Sequence, residues 1–165
     1  MDLLEFAALM QAGGILAGIA IALLELRDFG KTRKADLLME LYAISRSKEF
    51  NRDYMEILKH GWKDVDNWME IQEGRPIAKN IEAYSKWLSV ALYFEGVGVL
   101  LYRRLIDISL VDDLLSSEIL ILWEHIEPAV KKVRADMNRP QLFEYFEYLY
   151  EQMKRRERKL SSHQK

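Results

Sequence analysis

The chain has 165 residues, of which half are hydrophobic and 30% are charged, with a net charge of -2. This composition predicts a folded protein and gives no general electrostatic attraction to nucleic acid. The absence of cysteine excludes disulfides, thiolate metal sites and a cysteine nucleophile. Only three prolines and eight glycines interrupt the chain, so we expect long helices.

A hydrophobic run lies near the start of the sequence. Residues 6–24 contain no charged side chain, and Gln11 is their only strongly polar member. As a helix this run would be about 28 Å long, close to the roughly 30 Å hydrocarbon thickness of a bilayer. It therefore predicts a single transmembrane helix, although a buried core helix of a soluble bundle has the same all-round apolar pattern.

The charges that flank this run predict its orientation. The first residues, MDLLEF, are acidic, and four basic residues follow the run: Arg27, Lys31, Arg33 and Lys34. Basic residues favour the cytoplasmic side, and an acidic start is unlike that of a signal peptide. We therefore expect a single-pass protein of the cell membrane, with its amino terminus outside and its carboxy-terminal domain in the cytoplasm.

Small residues follow one face of the predicted anchor. Gly14, Gly18 and Ala22 are spaced by four, which lets another helix backbone approach closely, and Gln11 lies about one turn earlier. The pattern predicts self-association through this face. Packing against a helix of the same chain is the alternative.

The first part of the remaining chain predicts short helices. Residues 35–47 form the first, and Ser47 caps a second helix that Gly61 ends. Residues 62–73 are a short amphipathic segment. Gly74-Arg75-Pro76 is a break after which Pro76 starts the next helix.

Longer helices are predicted beyond this break. Residues 77–107 are expected to be the longest, and their apolar centre, LSVALYFEGVGVLL, is typical of the buried middle helix of a bundle. A linking segment, ISLVDDLLSS, leads to a helix over residues 118–138. The last helix starts after Pro140. The fold class is thus all-α, with an anchor and basic stretch (1–34), a helical bundle (35–159) and a polar tail (160–165).

Several stretches of the bundle resemble a known family. They are YFEGVGVLL, Ile106-Asp107, WEHIEPAVKKVR and FEYFEYL. In them the chain is similar to the prokaryotic proteins grouped as domain of unknown function 4760, over about residues 35 to 155. The family's Trp-x-x-x-x-Pro-x-x-x-x-x-Arg spacing is matched by Trp123, Pro128 and Arg134. The resemblance implies a hydrophobic amino-terminal helix followed by an all-helical domain, and it implies no activity.

The most unusual candidate residue is Glu95, at the middle of the apolar segment. A buried carboxylate must be paired, hydrogen-bonded or protonated. We expect a structural buried cluster of Glu95, Trp123, Arg134 and Phe146, with Arg134 as the favoured cationic partner. A role for Glu95 in acid–base chemistry or ligand binding is the alternative.

Other candidates for chemistry are weak. Glu124 and His125 do not have the Glu-x-x-His spacing of di-metal bundles, and no catalytic triad or phosphate loop is present. No metal, cofactor or small-molecule substrate is therefore predicted, and no enzymatic activity. The basic tail KRRERK is interpreted as a solvated helix end, with contact to nucleic acid or anionic lipid as the alternative.

The sequence thus favours a membrane-anchored helical scaffold that contacts membrane lipid and binds its own copies or other proteins, without nucleic acid. Two alternatives stay open. One is a homo-oligomeric pore or channel accessory subunit lined by Gln11, and the other is a soluble helical bundle with a buried Glu95 site.

Overall fold

A computed structural model of the chain describes residues 32–59 and 65–163. The predicted anchor and its packing face, with Gln11, Gly14, Gly18 and Ala22, lie outside the described residues, as do the basic residues Arg27 and Lys31. Among the described residues, no helix combines the length and the apolar character that crossing a membrane requires.

The described chain is mostly helical. Residues 32–45 form α1, followed by α2 (Lys48–Lys59), the single turn α3 (Val65–Trp68), strands β1 (Met69–Gln72) and β2 (Arg75–Ala78), and three long helices. These are α4 (Ile81–Tyr102), α5 (Ile108–Met137) and α6 (Glu144–His163). We predicted an all-α fold; the described chain is mostly helical, which supports that class, but it also contains a small antiparallel hairpin that we did not predict.

Short-range capping explains several helix boundaries. The Ser47 side chain accepts the Phe50 N–H (3.2 Å) at the start of α2, as predicted. Asn80 caps α4 by accepting the Ala83 N–H (3.1 Å), and Asp107 caps α5 by accepting the Ser109 N–H (2.8 Å). Each side chain satisfies a backbone donor that the first turn of a helix leaves unpaired.

The hairpin corrects the prediction for residues 69–78. Met69 pairs with Ala78 and Gln72 with Arg75, joined by a two-residue turn in which Glu73 and Gly74 both have positive φ (50° and 73°). Such φ values suit the turn of a two-residue hairpin. Pro76 therefore lies in an edge strand, where its missing N–H is tolerated, and does not start a helix.

The segment predicted to link two helices is itself helical. α5 has 30 residues and is the longest helix of the described chain, against 22 residues in α4. Val111, Leu115 and Ile119 are completely buried at intervals of four, so the ISLVDDLLSS segment has a core face of its own. The sequence cue was Asp107, a good helix cap, directly before these apolar positions.

The core lies where α6 packs between α4 and α5, with α2 on another side of α4. The Phe146 ring of α6 stacks on Phe94 of α4 (5.1 Å between centroids) and meets Trp123 of α5 edge-on (5.0 Å). All three rings are essentially inaccessible to solvent. The predicted central position of the Leu88–Leu101 segment is thus explained by α4 contacting both α2 and α6.

Candidate functional site

The start of α6 is held by a side chain from another helix. Phe143 precedes α6, and its carbonyl accepts the first helical hydrogen bond from Glu147 N–H (3.1 Å), but a phenylalanine cannot cap a helix with its side chain. Instead Glu95 Oε2 of α4 accepts the Phe146 N–H at 2.7 Å. Glu95 therefore caps α6 from a neighbouring helix, whereas Asn80 and Asp107 each cap the helix that they precede.

A glycine makes this contact possible. Gly98 lies one turn after Glu95, and a Cβ built on it would be 2.1 Å from the carbonyl oxygen of Tyr145. No side chain fits at that distance, so the α6 backbone can approach α4 this closely only at a glycine. We call Glu95, Gly98 and the α6 backbone at Tyr145 and Phe146 the α4–α6 seam.

Burial and hydrogen bonding shift the pKa of the Glu95 carboxyl in opposite directions. Burial raises the pKa of the Glu95 carboxyl above its ordinary value, while hydrogen bonds from the backbone N–H groups of Phe146 and Tyr145 oppose that rise. Both opposing donors belong to the first turn of α6, the end at which a helix attracts negative charge. The arrangement gives Glu95 a structural role in fixing α6.

The four residues of the predicted buried cluster occupy one region, but their pairing differs from the prediction. Arg134 does not bind Glu95. Its Nη1 forms an ion pair with Glu147 (2.7 Å), its Nε donates to the Leu142 carbonyl (2.8 Å), and its buried Nη2 has no hydrogen-bond partner among the described residues. The sequence named Arg134 because both residues lay in family-like segments, a criterion that says nothing about which atoms meet.

The revised pairing can be tested with double-mutant cycles. We expect a coupling free energy of about 1 kcal/mol between Arg134→Met and Glu147→Gln, because each removes the partner of the other. The coupling between Arg134→Met and Glu95→Gln should stay below about 0.5 kcal/mol, since these side chains share no direct bond. Thermal unfolding of the full chain in mild detergent measures both cycles. A larger coupling free energy between Arg134 and Glu95 would instead support the ion pair predicted from the sequence.

Two surface grooves of the described chain have different linings. One, of about 600 Å³, is lined mainly by charged residues, with Lys132 bridging Asp66 (3.1 Å) and Asp136 (2.8 Å) and Lys79 paired with Glu70 (3.3 Å). The other, of about 500 Å³, lies between α1 and Leu105. In the described part of the chain, no three His, Cys, Asp or Glu side chains are placed to hold a metal ion.

The basic tail is largely tied to the bundle. Lys154 pairs with Glu124 (2.8 Å) and Arg156 with Asp112 (2.8 Å), while α6 continues to His163. All six residues of KRRERK are therefore helical, and two of them are paired with side chains of α5. Arg155 and Arg158 stay exposed.

The fold and the seam describe a mostly helical domain in which a half-buried carboxylate holds a neighbouring helix. The chain belongs to the family described as a domain of unknown function, DUF4760, which matches residues 12–153. The match starts inside the hydrophobic run, earlier than the predicted residue 35, and ends in α6. No curated protein and no solved structure matches the chain.

Proposed function

We propose that this protein is a single-pass, membrane-anchored scaffold whose helical domain lies in the cytoplasm and binds protein partners or further copies of itself. One observation carries the proposal. Residues 6–24 form an uncharged run long enough to span a bilayer, and only residues 25–31 separate it from α1. The family match supports treating this run as part of the same unit, since the match begins at residue 12.

The described domain supports a binding role over a chemical one. Glu95 is the half-buried carboxylate with the clearest potential for chemistry, and its Oε2 is occupied by the α6 backbone. Apolar side chains on the outer faces of α1 and α2 offer contacts to another protein: Met39, Ile44 and Met55, each more than half exposed. Gly14, Gly18 and Ala22 would bring anchor helices of two copies together.

Fractionation tests the anchor. We expect the full chain to stay with membranes in alkaline carbonate and to be released by detergent. Leu16→Arg should shift it toward the soluble fraction, because a charged residue at the centre of a span costs about 2.5–3.5 kcal/mol.

Leu160→Arg is the matched control, since Leu160 is 61% exposed on α6 and its replacement leaves the run intact. Wild-type protein recovered in the soluble fraction without detergent would contradict the proposal.

A further inference from the structure

The start of α1 and the α4–α5 loop lie at the same end of the domain. Leu105 of that loop lines one groove together with side chains of the first turns of α1: Arg33, Lys34, Asp36, Leu37 and Glu40. Hydrogen bonds from Ser109 lower the pKa of the Asp107 carboxyl, and the nearby Lys34 ammonium lowers it further. The chain therefore enters the described domain directly beside this loop.

The loop exposes an unusual set of side chains. Tyr102 is 53% exposed and Leu105 is 49% exposed, and Arg103 and Arg104 between them are exposed as well. Within the described residues, neither arginine forms an ion pair. Two cationic groups thus stand between an aromatic and an aliphatic side chain at one tip of the domain.

The backbone of the loop is fixed. Arg104 N–H bonds the Leu101 carbonyl and Leu105 N–H bonds the Leu100 carbonyl, both at 2.9 Å, which is the double closure of a Schellman motif. Arg104 has φ = 59° at the position where glycine is usual. An arginine held there, at some conformational cost, is presented outward by a rigid turn.

Two of the acidic side chains at this end have partners. Asp107 accepts hydrogen bonds from Ser109 N–H and its hydroxyl, and Asp112 pairs with Arg156 (2.8 Å). The latter pair also brings the last turns of α6, with exposed Arg155 and Arg158, toward the start of α5. In the groove beside Leu105, Asp36 and Glu40 offset Arg33 and Lys34, so the excess of positive charge at this end comes from Arg103, Arg104, Arg155 and Arg158.

The sequence limits how far this end can be from the predicted anchor. From Leu24 to Thr32 the chain spans at most about 29 Å even if fully extended. The opposite end of α5 is about 45 Å from its start, because α5 has 30 residues. If residues 6–24 span the membrane, the α4–α5 loop lies at the membrane-proximal end and the β-hairpin, which contacts the later part of α5, lies distally.

We infer that the α4–α5 loop, through Arg103, Arg104 and Leu105, docks together with Tyr102 at the end of α4 on the headgroup region of an anionic bilayer. Arg103 and Arg104 bind lipid phosphates, while Tyr102 and Leu105 enter the interface. Aromatic side chains favour that depth, and basic side chains near an anionic surface are attracted to it. This inference rests on the proposed anchor, and it assigns the domain a fixed orientation against the membrane.

The absence of cysteine makes a direct test possible. Leu105→Cys provides a single labelling site for an environment-sensitive fluorophore, and Arg75→Cys in β2 provides the matched distal site. The labelled full chains are reconstituted into vesicles of phosphatidylcholine alone or mixed with phosphatidylserine, each with and without spin-labelled quencher lipids. We expect quenching at position 105 in the anionic vesicles and little at position 75.

Charge variants test the role of the arginines. In the Leu105→Cys background, Arg103→Gln with Arg104→Gln should weaken the quenched, lipid-contacting state by about fivefold for each arginine removed. Arg75→Gln with Arg139→Gln removes the same charge from exposed positions at the other end of α5 and should leave quenching unchanged. Equal effects of the two double variants would overturn the inference.

Flotation of the same samples separates this inference from the proposed anchor. A chain that floats with phosphatidylcholine vesicles but shows no quenching at position 105 in anionic vesicles refutes the docking and keeps the anchor. A chain that floats only with anionic vesicles, with position 105 quenched, refutes the anchor and supports the docking. Flotation with neither refutes both. Fluorescence at position 105 that changes with the protein-to-lipid ratio, and not with lipid composition, indicates that the loop contacts a second copy of the chain and refutes the docking.

Discussion

Gly98→Ala is expected to lower the free energy of unfolding by about 3 kcal/mol or more, near the upper end of the usual range for overpacked cores. The added Cβ would lie 2.1 Å from the Tyr145 carbonyl oxygen and 2.5 Å from its carbonyl carbon. Both atoms belong to the helix backbone, so relief requires α6 to move away from α4. That movement also lengthens the bond between Glu95 and the Phe146 N–H.

Gly96→Ala is the matched control, two residues away on the same helix. A Cβ there meets nothing within 4 Å, and the residue is exposed. We expect it to raise stability by about 0.5–1 kcal/mol, because glycine in a helix interior is less favourable than alanine. Thermal unfolding of the full chain in mild detergent measures both variants. Similar midpoints for the two would show that α4 and α6 do not approach closely at Gly98.

Glu95→Ala is expected to lower the free energy of unfolding by about 2 kcal/mol, because it leaves buried backbone donors at the start of α6 without an acceptor. Glu95→Gln should lose less, since its amide oxygen can still accept the Phe146 N–H. Glu144→Ala is the control: it removes an exposed carboxylate from the first turn of α6 and should change stability little. An equally small effect of Glu95→Ala would refute the capping role.

The pH dependence of this site has a definite sign. Burial raises the folded-state pKa of Glu95 above its ordinary value of 4.5, so the folded state retains the proton more strongly than the unfolded state. The resulting stabilisation is fully present below pH 4.5 and is lost as the pH rises through the higher folded-state value. The stability of the wild type relative to Glu95→Gln should therefore fall over that interval. Urea unfolding at a series of pH values measures it, and a difference independent of pH would contradict it.

Glu95 and Gly98 together explain why the apolar segment of α4 contains a carboxylate. Glu95 and Gly98 are one turn apart on α4, so they face the same neighbour. Gly98 lets the start of α6 approach, and Glu95 then satisfies a donor that the approach buries. The stabilising partner is a helix terminus, so a cation is not required.

Sequence signals were sufficient for helices whose boundaries and faces depend on neighbouring residues. The cap at Ser47 follows from side-chain to backbone bonding within one turn. The inward faces of α2 and α6 agree with helical periodicity, since the buried pairs Tyr54 and Ile57, and Phe146 and Leu149, are each three residues apart. The family was also recognisable from quoted segments, and its match to residues 12–153 confirms that resemblance.

The prediction was wrong in two places where a local sequence signal indicated the wrong type of element. Pro76 after Gly74 is a good helix start, yet pairing of β1 with β2 places it in a strand. The serines and aspartates of ISLVDDLLSS predicted a linker, yet the burial of Val111 and Leu115 makes it helical. In both places tertiary contacts outweighed weak local propensity, as they commonly do.

The binding partners of Glu95 and Arg134 depend on how the helices pack in three dimensions. A buried carboxylate requires a donor, but the sequence does not specify whether that donor is a side chain or a backbone N–H. Glu95 accepts a hydrogen bond from Phe146, 51 residues away in sequence, and Arg134 forms its ion pair with Glu147. Side-chain pairing over such separations depends on how α4, α5 and α6 are oriented, and that orientation is set by the packing of the whole core around Phe146.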